Sequence, residues 1–263
     1  VRIVSLNCSN TEIVHALGCG GLLVGIDDDS DWPPDLVAGL PRVGRDLDVE
    51  VERVAALRPD LVLASVTVPG HEEVVARLGA AGLPFHAPET ESLADVYEDI
   101  RTIAALIGVA ERAGPVVDAM RDAIEAEPEP GPAPSILVQW WPKPVIAPGR
   151  RSWVDDLLRH AGARNPLGER DVKSTPLADA EVAALDPDAI VISWCGVPRN
   201  RYRTEVVLGN PAFAGLRAIR DRRVEPIAEA FLGRPGPRLA DGSRALRQLV
   251  RRLRDAPTDR PSS

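Results

Sequence analysis

Cysteine is scarce in this chain: Cys8, Cys19 and Cys195 are an odd number with no C-x-x-C pair among them. Such spacing offers neither a zinc site nor a disulfide framework. Buried thiols are expected, and a Cys8 to Cys19 bridge is disfavoured because the segment between them reads as a helix. No run approaches the roughly 18 to 20 apolar residues that a membrane span requires. No charged region followed by an apolar one precedes Val1, and the chain starts without Met in strand-like sequence. An extracytoplasmic location, periplasmic or lipid-anchored, is expected if a leader was removed, with a cytoplasmic one left open. Net charge is −8 despite 31 Lys and Arg, and no basic block stands out before the final helix, so nucleic acid is set aside as a partner.

Signatures of catalysis are missing as well. There is no G-x-S-x-G elbow, no P-loop and no complete G-x-G-x-x-G; Gly18-Cys19-Gly20-Gly21 follows a helix and precedes a strand, the reverse of the dinucleotide order. The four histidines, His15, His71, His86 and His160, lack ligand spacing, and no metal site is assigned. His15 and His160 fall near helix carboxyl ends, where the dipole favours an imidazolium. With no nucleophile, base and orienter to name, the expectation is a protein that is not an enzyme, without catalytic residues or a catalytic cofactor.

What is present is a repeated phrase. Ala55-Ala56-Leu57-Arg58-Pro59-Asp60-Leu61-Val62-Leu63-Ala64-Ser65 returns as Ala183-Ala184-Leu185-Asp186-Pro187-Asp188-Ala189-Ile190-Val191-Ile192-Ser193. Each copy stops an apolar helix with Pro and Asp and then runs into an aliphatic segment, the pattern of a buried parallel strand. At 263 residues the chain accommodates two modest lobes. In open parallel sheets ligands sit beyond the carboxyl ends of the strands, so Ser65-Val66-Thr67 and Ser193-Trp194-Cys195 are expected to flank a cleft.

Along the chain, strands are expected at 2–6, 22–26, 61–64, 84–86, 136–139, 189–193 and 223–227. Helices are expected after a Ser9-x-x-Glu12 capping box, then at 51–57, 72–81 and 153–160, with a short broken helical region at 205–216. Residues 92–126 read as helical, with a kink or a break into two consecutive helices near Gly114-Pro115, since proline removes a backbone donor and clashes one turn back. Residues 127–134 alternate Glu, Gly and Ala with Pro, a stiff linker. Residues 231–238 form a Gly/Pro/Arg loop. The stretch 244–254 is a closing amphipathic helix with a solvated basic face. The expected division is an amino-terminal α/β lobe at 1–91, an interdomain helix at 92–126 and a carboxy-terminal α/β lobe at 127–263.

Half of the ten aromatic residues are Trp, and Trp32, Trp140 and Trp194 lie just after strand ends. Indoles in loops suggest flat apolar surfaces for a large ligand with planar parts, although each could also cap a sheet edge. Trp141, beside Trp140, and Phe231, opening its loop, join the candidate ligand contacts. Arg199, Arg201, Arg203, Arg234 and Arg238 in second-half loops suit ligand carboxylates, phosphates or amide oxygens; solvent is the other reading for Arg199 to Arg203, whereas Arg234 in its Pro/Gly-rich loop favours ligand contact.

Taken in order, these segments resemble the substrate-binding proteins with a rigid interdomain helix that serve ABC importers of vitamin B12, haem and iron-siderophores. The residues carrying the likeness are Ile3-Val4-Ser5-Leu6 with Thr11-Glu12 and Ala16-Leu17-Gly18, Asp31-Trp32-Pro33-Pro34, Leu57 to Leu63, Asn210-Pro211-Ala212-Phe213 and Arg234-Pro235-Gly236-Pro237-Arg238. The resemblance implies two Rossmann-like lobes joined by a long helix, the class III periplasmic-binding-protein fold, with small lobe motions on binding. It is strongest to the vitamin B12 binders, which implies a cobalamin or related corrinoid as ligand, with ferric siderophore and haem as alternatives. It places Trp32, Trp140, Glu229 and Arg234 at the ligand. Where the B12 binders have a Trp after the repeat strand of lobe one, this chain has Ser65, so Trp194 is expected to supply the stacking area. The family docks to its permease through one exposed Glu on each lobe, which implies Glu72 and Glu205 here. A monomer partnered by a permease and ATPase is expected, and a cytoplasmic corrinoid-binding protein is the reading outside transport.

Overall fold

The computed structural model describes residues 1–256. Contacts divide the chain into two compact units, one holding Val1–Met120 with the short strap Arg234–Arg238, the other holding Arg121–Gly233 and the chain from Leu239 onward. The three-part division with a connecting helix of its own remains a proposal, and its last residues, 257–263, lie outside the described ones.

In the first unit, β1 (Ile3–Ser5) leads to α1 (Cys8–Ala16), β2 (Leu23–Ile26), the short α2 (Pro34–Val37), a hairpin of β3 (Gly44–Arg45) and β4 (Asp48–Val49), α3 (Val51–Ala56), β5 (Leu61–Leu63), α4 (His71–Ala80), β6 (Phe85–His86), α5 (Leu93–Leu106) and the first two turns of α6 (Ala113–Ile124), whose residues from Arg121 on belong to the second unit. The main sheet is parallel in the order β2-β1-β5-β6, with Ile3 beside Leu61 and Ser5 beside Leu63. Continuous aliphatic runs suit strands covered on both faces, and β1 and β5 are buried throughout. Both α2 and the β3–β4 hairpin escaped the sequence reading. The hairpin depends on Gly44 at φ +102°, where an added Cβ would sit 2.4 Å from the Asp48 carbonyl oxygen.

Two expectations fail here for local reasons. Asn7, not Ser9, caps α1, its Oδ1 accepting the Ser9 N–H at 3.0 Å, and Glu12 is turned into the core instead of reaching back to the helix end. The helical pattern of 92–126 is two consecutive helices, but the break falls at Gly108 and not at Gly114-Pro115. Gly108, at φ +78°, ends α5 in the left-handed conformation, a 3-10 turn at Ala110–Arg112 follows, and Gly114-Pro115 fall in the first turn of α6, where proline lacks no partner.

In the second unit the chain runs through β7 (Ile136–Gln139), β8 (Trp141–Pro142), β9 (Val145–Pro148), α7 (Trp153–His160), β10 (Ser174–Leu177), α8 (Asp179–Leu185), β11 (Ala189–Ile192), α9 (Glu205–Leu208), α10 (Arg217–Arg220), β12 (Val224–Pro226), α11 (Glu229–Leu232) and α12 (Leu239–Asp255). A parallel sheet in the order β12-β11-β7 is accompanied by an antiparallel one, β10-β9-β8, that the sequence pattern did not announce. The repeated phrase builds the same corner in each unit. Arg58 and Asp186, both before proline, have φ of 48° and 37°, and each following Asp binds the backbone entering the neighbouring strand.

The basic face of α12 is not merely solvated. Leu246, Leu249 and Val250 enter the core, each worth about 1.5 to 3 kcal/mol of burial. On the same helix Arg247 Nη2 donates to the Ile124 carbonyl at 2.8 Å, Arg254 donates to the carbonyls of Glu129 at 2.7 Å and Pro132 at 2.9 Å, and Arg251 pairs with the Glu129 carboxylate at 2.7 Å. A proline-rich segment cannot satisfy its own carbonyls with regular structure, so the guanidinium forks do it and hold the linker down.

Candidate functional site

In the first unit the carboxyl ends of β1 and β5 meet the amino end of α1, and the loop after β2 carries Trp32. That loop is tightly held. The Asp27 carboxylate accepts the Ser30 hydroxyl at 2.5 Å and the Asp29 N–H at 3.0 Å, and Arg42 Nη1 donates to the carbonyls of Asp27 at 2.8 Å and Ser30 at 2.7 Å. Thr11 Oγ1 bridges Ser5 at 2.8 Å and Ser30 at 3.0 Å. Burial pushes the Asp27 carboxyl up to about 6 against these donors. Trp32 itself stays 41% exposed, with the Arg238 guanidinium carbon 4.7 Å from its ring centroid.

Arg234 is placed differently from the expectation. It is buried, and its Nη1 donates to Glu12 Oε1 at 3.2 Å and to Asp31 Oδ1 at 2.5 Å, while Nη2 reaches Asp31 Oδ2 at 3.4 Å. A guanidinium so engaged organises the first unit instead of standing open to a ligand. Burial raises the Glu12 carboxyl above its ordinary value even though Arg234 and Arg238 oppose the shift.

Ser65 is buried, its Oγ 3.3 Å from His71 Nδ1, and His71 Nε2 is 2.9 Å from Asp46 Oδ1. The trio has the outline of a hydrolytic triad without its chemistry. The Val68 N–H also donates to Nδ1 at 3.3 Å, and Ser65 Oγ is 3.0 Å from Thr67 Oγ1, so the lone pair a base needs is shared and the hydroxyl is already engaged. The ring acts as a latch on the loop 65–70. Next to it Glu72 is exposed in the first turn of α4 and accepts the Gly70 N–H at 3.0 Å.

In the second unit Trp141 is 41% exposed on β8, and the half-buried Trp140 stands 6.2 Å from the Trp153 ring. Trp194 is not left open. It is 6% exposed within the core, its Nε1 donates to Gln139 Oε1 at 3.0 Å, and its ring lies 5.5 Å from Tyr202, so it has little surface to offer a ligand. Tyr202 donates to the Trp194 carbonyl at 3.2 Å and accepts the Glu229 N–H at 3.1 Å, with burial holding its hydroxyl well above the usual range. Glu229 and Phe231 are half-buried on α11, which replaces the first part of the expected loop 231–238. Glu205 is the exposed first residue of α9.

The structure thus leaves Trp32 in one unit and Trp141 in the other as exposed indoles, keeps Trp140, Glu229 and Phe231 partly open, and buries Trp194 and Arg234. Sequence reasoning missed Glu12, His71 and Tyr202. Glu12 was hidden by its fit to a capping box, and Tyr202 by its arginine neighbours. Cys8, Cys19 and Cys195 form no disulfide; Cys19 is buried as expected of the thiols, whereas Cys8 is partly exposed and Cys195 exposed. Among the described residues no group of three His, Cys, Asp or Glu is placed to hold a metal, and no helix is long and apolar enough to cross a membrane.

The family profile described as Periplasmic binding protein matches residues 3–228. An uncharacterized ABC transporter substrate-binding lipoprotein of Bacillus subtilis is 27% identical over 258 residues, 95% of this chain and 79% of the relative. A vitamin B12-binding protein of Vibrio cholerae is 24% identical over 243 residues, 91% of this chain and 85% of the relative. Among solved structures, a periplasmic haem-binding protein of Pseudomonas aeruginosa aligns with TM-score 0.79 and 30% identity, covering 100% of this chain and 95% of that one. The haem-binding protein RhuT of Roseiflexus aligns at 0.77 and 28% identity, with 97% and 98% covered.

Proposed function

This chain belongs to the periplasmic binding protein family, and from that premise we propose that it is the substrate-binding component of an ABC importer for a cobalamin or related corrinoid, taken up and released without chemical conversion. Its fold is that of the class III binding proteins, two α/β lobes built on parallel sheets. The members compared above are transport proteins that bind small molecules, and a permease and ATPase are the partners that role implies.

The observation that carries the ligand reading is the pair of open indoles, Trp32 and Trp141, each 41% exposed in a chain with ten aromatic residues. An open indole offers a flat apolar face with a polar edge, the kind of surface on which a planar ligand stacks. Haem iron is usually held by a His, Cys, Met or Tyr side chain. Here both nitrogens of His71 are engaged and Tyr97, Met120 and Tyr202 are buried, while His15 and Cys195 are exposed. A corrinoid brings its own axial ligands and asks for flat apolar surface and polar edges instead.

Haem is the second reading, favoured by full-length identities of 28% and 30% to haem-binding structures, above the 24% to the B12-binding relative. Extracytoplasmic placement follows from the importer role. Fluorescence titration of the intrinsic Trp emission with cyanocobalamin, haemin and a ferric siderophore decides among them. Saturable quenching by cyanocobalamin is expected. Binding of haemin alone would replace the corrinoid assignment, and binding of none would remove the importer ligand class altogether.

A further inference from the structure

We propose that Arg238, held by Glu12, is a positioning residue that presents Trp32 as a one-sided stacking platform for a planar, electron-rich or anionic portion of the ligand. The proposal rests on the binding function above and adds the chemical class of the group that Trp32 takes.

The strap Arg234–Arg238 belongs to the first unit although the residues on either side of it belong to the second. Gly236 is buried in the strap, and a Cβ there would lie 3.5 Å from the Ser9 carbonyl oxygen and 3.8 Å from Ile13, so the strap lies against α1. Glu12 projects from the same helix, 3% exposed, and its Oε1 accepts from both Arg234 and Arg238 at 3.2 Å. A carboxylate so buried is tolerated only when cations and donors surround it. Holding Glu12 therefore fixes both guanidiniums.

The two arginines then differ. Arg234 extends to Asp31, next to Trp32 in the chain, whereas Arg238 lies over the indole ring itself, 4.7 Å from the centroid. Arg42 and Asp27 pin the loop at Asp27–Ser30, which leaves the Trp32 ring itself for Arg238 to hold, so that little ordering remains for binding to supply. A cation on one face draws on the electron density of the ring. The remaining exposed surface then suits a partner that is rich in electrons or negatively charged, such as a porphyrin, a benzimidazole base or a metal-bound catecholate, and disfavours a cationic one.

The test has two arms, using the full chain and the variants Arg238→Met, Arg238→Lys and Trp32→Phe. The near-ultraviolet circular dichroism of Trp32, taken as wild type minus Trp32→Phe, is expected to weaken in Arg238→Met and to return in part in Arg238→Lys. Titration with pyrenesulfonate and with pyrenemethylammonium, planar probes of opposite charge, is expected to show at least about fivefold preference for the anion in wild type. Arg238→Met should abolish that preference. An unchanged Trp32 band in Arg238→Met overturns the proposal, as does equal binding of the two probes by wild type or binding of neither. Failure of cyanocobalamin, haemin and siderophore to bind, with both arms as expected, would instead refute the importer reading and leave the platform standing.

Discussion

Asp188 accepts the backbone N–H of Ser135 at 2.8 Å, and its other oxygen takes Arg217 Nη1 at 2.6 Å. Asp60, at the matching place in the other copy of the repeated phrase, accepts the N–H of Arg2 at 2.7 Å. The surroundings separate the two. Ser135 is fully buried, whereas the Asp60 side chain is 62% exposed. Asp188→Ala strands a buried donor and should destabilise by about 1 to 3 kcal/mol, while Asp60→Ala, where water can replace the lost acceptor, should stay within about 1 kcal/mol. Urea unfolding of both variants measures the difference; equal effects would mean that burial of the corner does not matter.

The same corner shows what was legible in advance. Pro59-Asp60 and Pro187-Asp188 each end a helix and launch a buried strand, because the restriction before proline and the aliphatic run after it are local and do not depend on the rest of the fold. The two parallel sheets follow from them. Trp194 could not be read this way: a Trp directly after a strand looks the same whether it faces solvent or folds back, and its partner Gln139 lies 55 residues away. The pairing of Arg234 with Glu12 could not be read for a related reason, since the two are 222 residues apart and Glu12 had a plausible local role as a cap. The helix break at Gly108 was overlooked because a Gly within an apolar helical pattern is often tolerated, while Gly114-Pro115 drew attention that belonged a turn and a half earlier.

Trp194 and Trp32 should respond oppositely to mutation. Trp194→Phe keeps the ring but leaves Gln139 Oε1 without its indole donor in the core, a loss of about 1 to 3 kcal/mol, with ligand affinity unchanged. Trp32→Ala removes an exposed ring and its contact with Arg238, a stability change below about 1 kcal/mol, yet should weaken ligand binding tenfold or more. Parallel thermal melts and fluorescence titrations separate the two effects. A Trp194→Phe variant that loses affinity at full stability would return that residue to the ligand site.

Asp27 makes a prediction about pH. Its carboxyl is raised from 3.8 to about 6, chiefly by burial, so between these values the folded chain binds a proton more tightly than the unfolded one. The contribution of Asp27 to stability is therefore largest at the acid end of that window and is lost as pH rises through about 6, roughly 3 kcal/mol for a shift of this size. Asp99, raised to about 6 chiefly by burial while accepting the Thr90 hydroxyl at 2.6 Å, acts in the same direction. Asp27→Asn keeps an acceptor for Ser30 and has nothing to titrate, so its stability should decline less over the same window. Urea midpoints for both proteins between about pH 4 and pH 7 provide the comparison; parallel profiles would rule Asp27 out as the source.

Glu72 and Glu205, proposed to meet cationic side chains of a permease, are both exposed at the start of their helices. Exposed ion pairs contribute about 0.2 to 1 kcal/mol each, so neutralising one should weaken docking only a few fold, and reversing both should weaken it far more. Ligand affinity should not change, because neither residue belongs to the indole surfaces. Glu72 needs a control of its own, since its carboxylate also accepts the Gly70 N–H at 3.0 Å. Glu72→Gln can keep that acceptor while removing the charge, whereas Glu72→Ala removes both. If docking depends on charge, the two variants stimulate the ATPase of a reconstituted importer equally poorly; if Glu72 serves only to shape the turn before α4, Glu72→Gln performs as wild type and the docking role passes to other residues.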